Sequence, residues 1–215
     1  MDSLIRKHFG ADLRAAGFTG GPRTWRRMRA ERVDVIAISG GADLDTGENR
    51  LHLGYGTYYD AAHPGDEPWP VDRAKVSDYH LDVRIFDYDP CIGTPHTGDQ
   101  FGEDYLDAVA SRLRDVAVPL LDRLGDYAFV RALLEADTGL PDGAALAGNL
   151  GSPARSQVLG MLALAAGDKV TAVAHLHRIL LSAESWAASQ PRTADSDDGA
   201  IAYWTDKLER ARTLP

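Results

Sequence analysis

Residues Val33 to Ser39 read VDVIAIS, and an extended chain there is apolar on both sides: Val33, Val35 and Ala37 fall on one, Ile36 and Ile38 on the other. A strand that can bury both faces belongs in the middle of a sheet, so this short run places the core of the N-terminal half. Thr24 to Arg29 and Leu51 to Tyr59 flank it across turns rich in Gly, Asp and Asn, which predicts an antiparallel meander. In Leu51 to Tyr59 the odd positions from Leu51 to Tyr59 face one way, and His52, Gly54, Gly56 and Tyr58 face the other. A fourth strand, His80 to Asp87, sets Leu81, Val83 and Ile85 against His80, Asp82, Arg84 and Phe86.

A helix precedes the sheet. Asp2 and Ser3 can cap it, Leu4, Ile5, Phe9 and Leu13 recur at helical spacing, and Gly17 ends it before Phe18 continues the apolar stripe. Its apolar side is suited to sealing one face of the meander. Two long connections, Asp60 to Asp78 and Asp87 to Gly102, carry Pro64, Pro68 and Pro70 in the first and Pro90, Gly93, Pro95 and Gly98 in the second, and both read as loops.

From Glu103 the apolar period changes to 3.6. Leu106, Val109, Ala110, Leu113, Val116 and Ala117 form one helical stripe, with a break or kink expected at Pro119. Tyr127, Val130, Leu133 and Leu134 form a second helix ending near Gly139. Ser152-Pro153 starts a third, with Val158, Leu159, Leu162 and Leu164 as its apolar residues. A fourth runs from Lys169 to about Ser189 with Val170, Val173, Ala174, Leu176, His177, Leu180 and Leu181, and a fifth covers Ile201 to Ala211. Ala165-Ala166-Gly167-Asp168 joins the third and fourth into a hairpin resembling a tetratricopeptide unit, but no second copy follows, so it reads as an ordinary αα-hairpin. The expected fold class is α+β: an N-terminal helix on an antiparallel four-stranded sheet, followed by a C-terminal helical bundle. The sheet domain is expected over residues 1–102 and the helical region over 103–215.

Composition narrows the function classes. With 215 residues, 44% apolar and 26% charged, the chain can bury a sizeable core. Its 23 Lys and Arg against 32 Asp and Glu leave a net charge of -9, which argues against long-range attraction to nucleic acid or anionic lipid. The basic cluster Arg23, Arg26, Arg27, Arg29 and Arg32 reads as a solvated edge strand before it reads as a recognition surface. A single cysteine, Cys91, excludes an internal disulfide and any multi-cysteine metal site. No secretory leader and no apolar window of bilayer length is evident, so a cytoplasmic protein is expected.

The candidate ligand or partner face lies on the side of the sheet away from the leading helix: Arg26, His52, His80, Asp82 and Arg84. If the strands of Leu51 and Leu81 pair in register, two imidazoles and a carboxylate converge, the minimum for acid-base work or a metal, and Gly54 and Gly56 leave room beside them. The bland alternative is a solvated polar face with cross-strand pairs. The second loop offers Asp87, Asp89, Cys91, His96 and Asp99: Asp87-x-Asp89 for a divalent ion, or Cys91 with His96 as a nucleophile pair that lacks a third group, but its Asp and Pro residues are most simply turn formers. His175 and His177 point to different sides of a helix, one toward the core and one outward. Asp195, Asp197 and Asp198 lack the glutamate that a calcium loop requires at its twelfth position. No glycine-rich dinucleotide turn, phosphate-binding loop, GxSxG or HExxH occurs, so no cofactor and no resident metal are expected.

Gly17-Phe18, the run Arg23-Thr24-Trp25-Arg26-Arg27, the apolar strand ending at Ser39 and Leu51-His52-Leu53-Gly54 stand in an order that resembles the bacterial domain of unknown function 4304 family over the first ninety or so residues. Two positions depart from that pattern: no Gln stands beside Ser39, and His52 takes the place of Asn. The resemblance implies an α+β N-terminal domain and no particular chemistry. The function expected first is a non-enzymatic protein-binding module with a protein partner, of the immunity or regulatory type found beside bacterial conflict loci. The alternative is a small hydrolase or metal-dependent enzyme using His52, His80 and Asp82.

Overall fold

The computed structural model describes residues 2–42, 49–62, 81–85, 103–136, 145–146, 153–189 and 198–215, which fall into two compact units. The first holds α1 (Asp2–Ala15), strands β1 (Thr19–Gly20), β2 (Thr24–Met28), β3 (Arg32–Ala42), β4 (Asn49–Tyr59), β5 (Leu81–Ile85) and β6 (Ala145–Leu146), and helices α2 (Glu103–Arg112) and α3 (Val118–Arg123). The strands form one sheet in the order β1-β2-β3-β4-β5-β6. The expected four-stranded antiparallel meander is its centre, extended at either edge by a two-residue strand too short to leave a periodic trace.

β3 is buried on both faces, as its double apolar pattern requires: Val33, Val35, Ile36 and Ile38 are all enclosed. On one face Trp25 and Arg27 stand opposite Ile36 and Asp34, and α1 lies over them. Ile5, Phe9 and Leu13 form the buried stripe of α1. The helix stops in a Schellman turn, with Gly17 at φ +86, its N–H donated to the Arg14 carbonyl, and the Phe18 N–H donated to the Leu13 carbonyl at 2.9 Å. Three side-chain pairs lace α1 to the helix segment that starts at α2: Lys7 to Glu103 at 3.0 Å, His8 to Asp107 at 3.1 Å and Asp12 to Arg114 at 3.2 Å.

Pro119 neither breaks nor ends its helix. Between α2 and α3 the chain widens into a π turn, Leu113–Ala117, closed by the Val118 N–H on the Leu113 carbonyl. A proline ring crowds the carbonyl four residues back and has no N–H to offer, and a turn with one extra residue relieves that conflict without interrupting the rod. α2 and α3 fall in the same compact unit as the sheet.

The second unit contains a 3-10 turn, Asp60–Ala62, and helices α4 (Tyr127–Glu135), α5 (Pro153–Ala166), α6 (Lys169–Ser189) and α7 (Asp198–Arg212). α5 and α6 form the expected hairpin, turned by Gly167 at φ +75 with the Asp168 N–H on the Ala163 carbonyl. Gly160 lets α6 approach closely, since a methyl there would meet Leu176 at 3.1 Å. Val158, Leu159, Met161 and Ala163 of α5 are buried, rather than the expected Leu162 and Leu164, which are only half-buried.

Candidate functional site

The predicted sheet-face residues are only partly brought together. Leu81 pairs with Thr57 and not with Leu51, so Asp82 lies opposite Gly56 and Arg84 opposite Gly54. His52 sits four residues from the partner of Asp82, roughly 13 Å along the strand, so the register does not set the two side by side. Arg26 is half-buried opposite Val35. The face they share is not uniformly open, because Val33, Val35, Gly56 and Tyr58 on it are buried. His80, Asp87, Asp89, Cys91, His96 and Asp99 lie outside the described residues, as do Asp195 and Asp197. Among the described residues no group of three or more His, Cys, Asp or Glu side chains is placed to hold a metal ion, and no helix is long and apolar enough to cross a membrane.

The basic cluster around β2 turns partly inward, toward a carboxylate that the sequence reading did not single out. Asp34 is 0% exposed. Arg27 donates from Nε to its Oδ2 at 3.0 Å, Arg32 donates from Nε to its Oδ1 at 3.0 Å, and the Thr57 hydroxyl donates to Oδ1 at 2.9 Å. Arg27 Nη2 sits 2.9 Å from both Asp34 Oδ2 and Asp122 Oδ1, contacts held by charge more than by hydrogen-bond direction. Arg29 donates to Asp122 Oδ1 at 3.0 Å, and Arg32 donates to the Leu121 carbonyl at 3.1 Å. Phe18 carries the Arg27 guanidinium 4.6 Å from its ring centre. Every polar group of Asp34 is engaged from within, so this network is a fastening between β2, β3, β4 and α3. A signal for it was present: an aspartate inside a strand with two buried faces requires a cation.

A second polar junction fixes α4 against the α5–α6 hairpin. Asp168 caps α6 by accepting from the Thr171 N–H at 3.1 Å, and its Oδ2 accepts from the Tyr127 hydroxyl and from Arg131 Nη1, each at 2.8 Å. Burial pushes the Tyr127 phenol up, helped by Asp168, to about 12. Burial also pushes the Asp168 carboxyl up, but the Thr171 amide, the Tyr127 hydroxyl and Arg131 outweigh it and hold the group below its ordinary value of 3.8. The signs run in opposite directions at the two ends of the pH scale. The contribution of Tyr127 is fully present below its unfolded value of 10.0 and is lost as pH rises through about 12. The contribution of Asp168 is present above 3.8 and is lost as pH falls below it. Asp168→Ala is expected to destabilise the chain by about 1–2 kcal/mol, as loss of a helix cap does. The same variant should bring one phenol back toward pH 10, seen as an earlier rise of phenolate absorbance absent from Asp168→Ala with Tyr127→Phe.

α6 carries the longest apolar surface among the described helices of this unit. Only Lys169, Arg178 and Glu184 are charged among its 21 residues, and the apolar residues expected as one stripe divide into two. Thr171, Ala172, Leu176 and Ile179 face the unit's interior. On the outside Val170, Ala174, Leu181 and Ala188, with His177 and Ser185 between them, recur at spacings of three and four, and Val170 is 79% and Leu181 52% exposed. An outward helix face is ordinarily charged, and here a largely apolar seam stands in its place. His175 is half-buried with Nδ1 3.4 Å from the enclosed Ser156 hydroxyl, and burial and Arg178 hold its pKa below 6.5; His177 is exposed. The Ser156 hydroxyl has no open side from which a substrate can reach it, so the pair is not a nucleophile and its base. Compared with protein-family models, with curated proteins and with solved structures, the chain matches none.

Proposed function

We propose that the chain is a protein-binding module whose contact surface is the outward seam of α6. The observation that carries this reading is the exposure of Val170, Ala174, Leu181 and Ala188 at helical spacing on a helix whose other side is already packed. The occupant that suits such a seam is an amphipathic helix of another protein, which lays residues spaced three and four apart against it. Within the seam Ser185 is small and His177 presents a ring with an apolar body, and neither bars an apolar partner from it. Arg178 and Glu184, exposed beside the seam, supply the charges that set orientation at its rim. The resemblance of the first ninety residues to the domain of unknown function 4304 family adds no chemistry to this reading. An immunity role requires the partner to be a toxin.

The test compares the full chain with a Val170→Glu, Leu181→Glu variant. Both positions are exposed, so the variant should melt within a few degrees of the parent. A protein retained by the parent from a native extract, and identified by mass spectrometry, should then be purified and titrated. The double variant is expected to weaken that complex at least about 100-fold, since two charges are placed in an apolar contact. Equal binding by parent and variant would remove α6 as the contact surface.

A further inference from the structure

The helical unit carries an open cleft of about 510 Å³ among the turn Asp60–Ala62, α5, α7 and the residues that follow α7. That volume lies within the range of small-molecule sites. Its lining is divided. Met161 and Leu164 from α5 and Leu214 form an apolar wall, and Lys169 seats Leu214 by donating to its carbonyl at 2.6 Å. Lys207 and Arg210, three residues apart and so on one side of α7, bring two cations to the lining.

The cations are short of partners. The Lys207 side chain is only 12% exposed, its ammonium lies 4.7 Å from the centre of the Tyr203 ring, and its nearest carboxylate oxygen, on exposed Asp206, is 3.9 Å away. Arg210 makes no ion pair among the described residues. Asp60 is the one carboxylate among the described residues of the lining and is exposed, so it leaves the cavity positive by one charge and directs an anion toward α7. A lysine whose stem is buried and whose ammonium has no close carboxylate, beside the exposed Arg210, favours an incoming anion, and the apolar wall favours a ligand that carries carbon behind it.

We propose that this cavity binds a small organic anion, a carboxylate held by Lys207 and Arg210 with its aliphatic body against Met161, Leu164 and Leu214. Titration calorimetry on the full chain with sodium octanoate, 1-octanol and octylammonium chloride tests it. Octanoate is expected to bind saturably with one site per chain, octanol roughly ten-fold more weakly, and octylammonium more weakly again. Arg210→Ala should weaken octanoate roughly ten-fold and leave octanol unchanged, and Leu164→Trp should abolish both by filling the space. The Val170→Glu, Leu181→Glu variant should bind octanoate as the parent does. Absence of saturable octanoate binding, equal affinity for all three probes, or octanoate binding that Arg210→Ala leaves unchanged would each overturn the proposal. Should Leu164→Trp fail to fold, the Arg210→Ala comparison decides alone.

Discussion

Asp34→Ala is expected to destabilise the sheet-bearing unit by about 3–5 kcal/mol, the range for removing one partner of a buried ion pair. Asp34 is fully enclosed and Arg27 is 4% exposed, so the guanidinium left behind has no water to turn to. Its remaining contacts are the Ala16 carbonyl at 3.2 Å, Asp122 at 2.9 Å and the face of Phe18. Arg32 loses its Nε partner at the same stroke and keeps only the Leu121 carbonyl. Asp34→Asn should cost less, because the amide oxygen still accepts from Thr57 while the charge is gone. Arg27→Met with Asp34→Leu should lose less than the two single losses added together, since the Arg27 charge is then not left behind, although Arg32 still loses its Nε partner. Denaturant midpoints of these variants and the parent check this, and strict additivity would show that the pair is not coupled.

Trp25→Ala is expected to cost about 3–5 kcal/mol through the cavity it leaves. The indole is 1% exposed and lies under α1, where a methyl at Gly10 would come within 3.6 Å of its ring. A methyl at Gly21 would meet it at 2.6 Å, so glycine at that position leaves the indole its space. Its Nε1 donates to the Pro22 carbonyl at 3.2 Å, and Arg14 stands 5.8 Å from the ring centre on the solvent side of α1. Trp25→Phe should lose roughly half as much, keeping an aromatic plug and giving up one hydrogen bond. Chemical denaturation followed by circular dichroism gives both values. A loss below about 1.5 kcal/mol for the alanine variant would mean that α1 settles into the vacated space.

Much of the fold was legible because its signals are local. The alternation of Leu51 to Tyr59 and the double apolar pattern of Val33 to Ser39 gave β4 and β3. Gly17 after a helical stripe gave the end of α1, and Lys169 to Ser189 gave α6 residue for residue. The edge strands at Thr19–Gly20 and Ala145–Leu146 were not legible, since two residues have no period. At Pro119 a break or kink was legible, while the π turn that accommodates the proline is formed within a packed helix and was not. The candidate surfaces were the least legible. Val170 and Leu181 look like Leu176 and Ile179 in a sequence, and only burial separates them.

The sequence by itself determined the longer elements, their order and the antiparallel meander, because hydrophobic period and turn chemistry act over a few residues. Tertiary structure alone decided that Asp34 collects Arg27, Arg32 and Thr57, that α2 and α3 join the sheet's unit, and that Lys207, Arg210 and Leu164 line one cleft. The physical reason is the range of the forces involved. A charge in the interior takes whichever opposite charge packing brings to it, and a helix with two apolar sides buries the one its neighbours reach, and neither outcome is written in the spacing of adjacent residues.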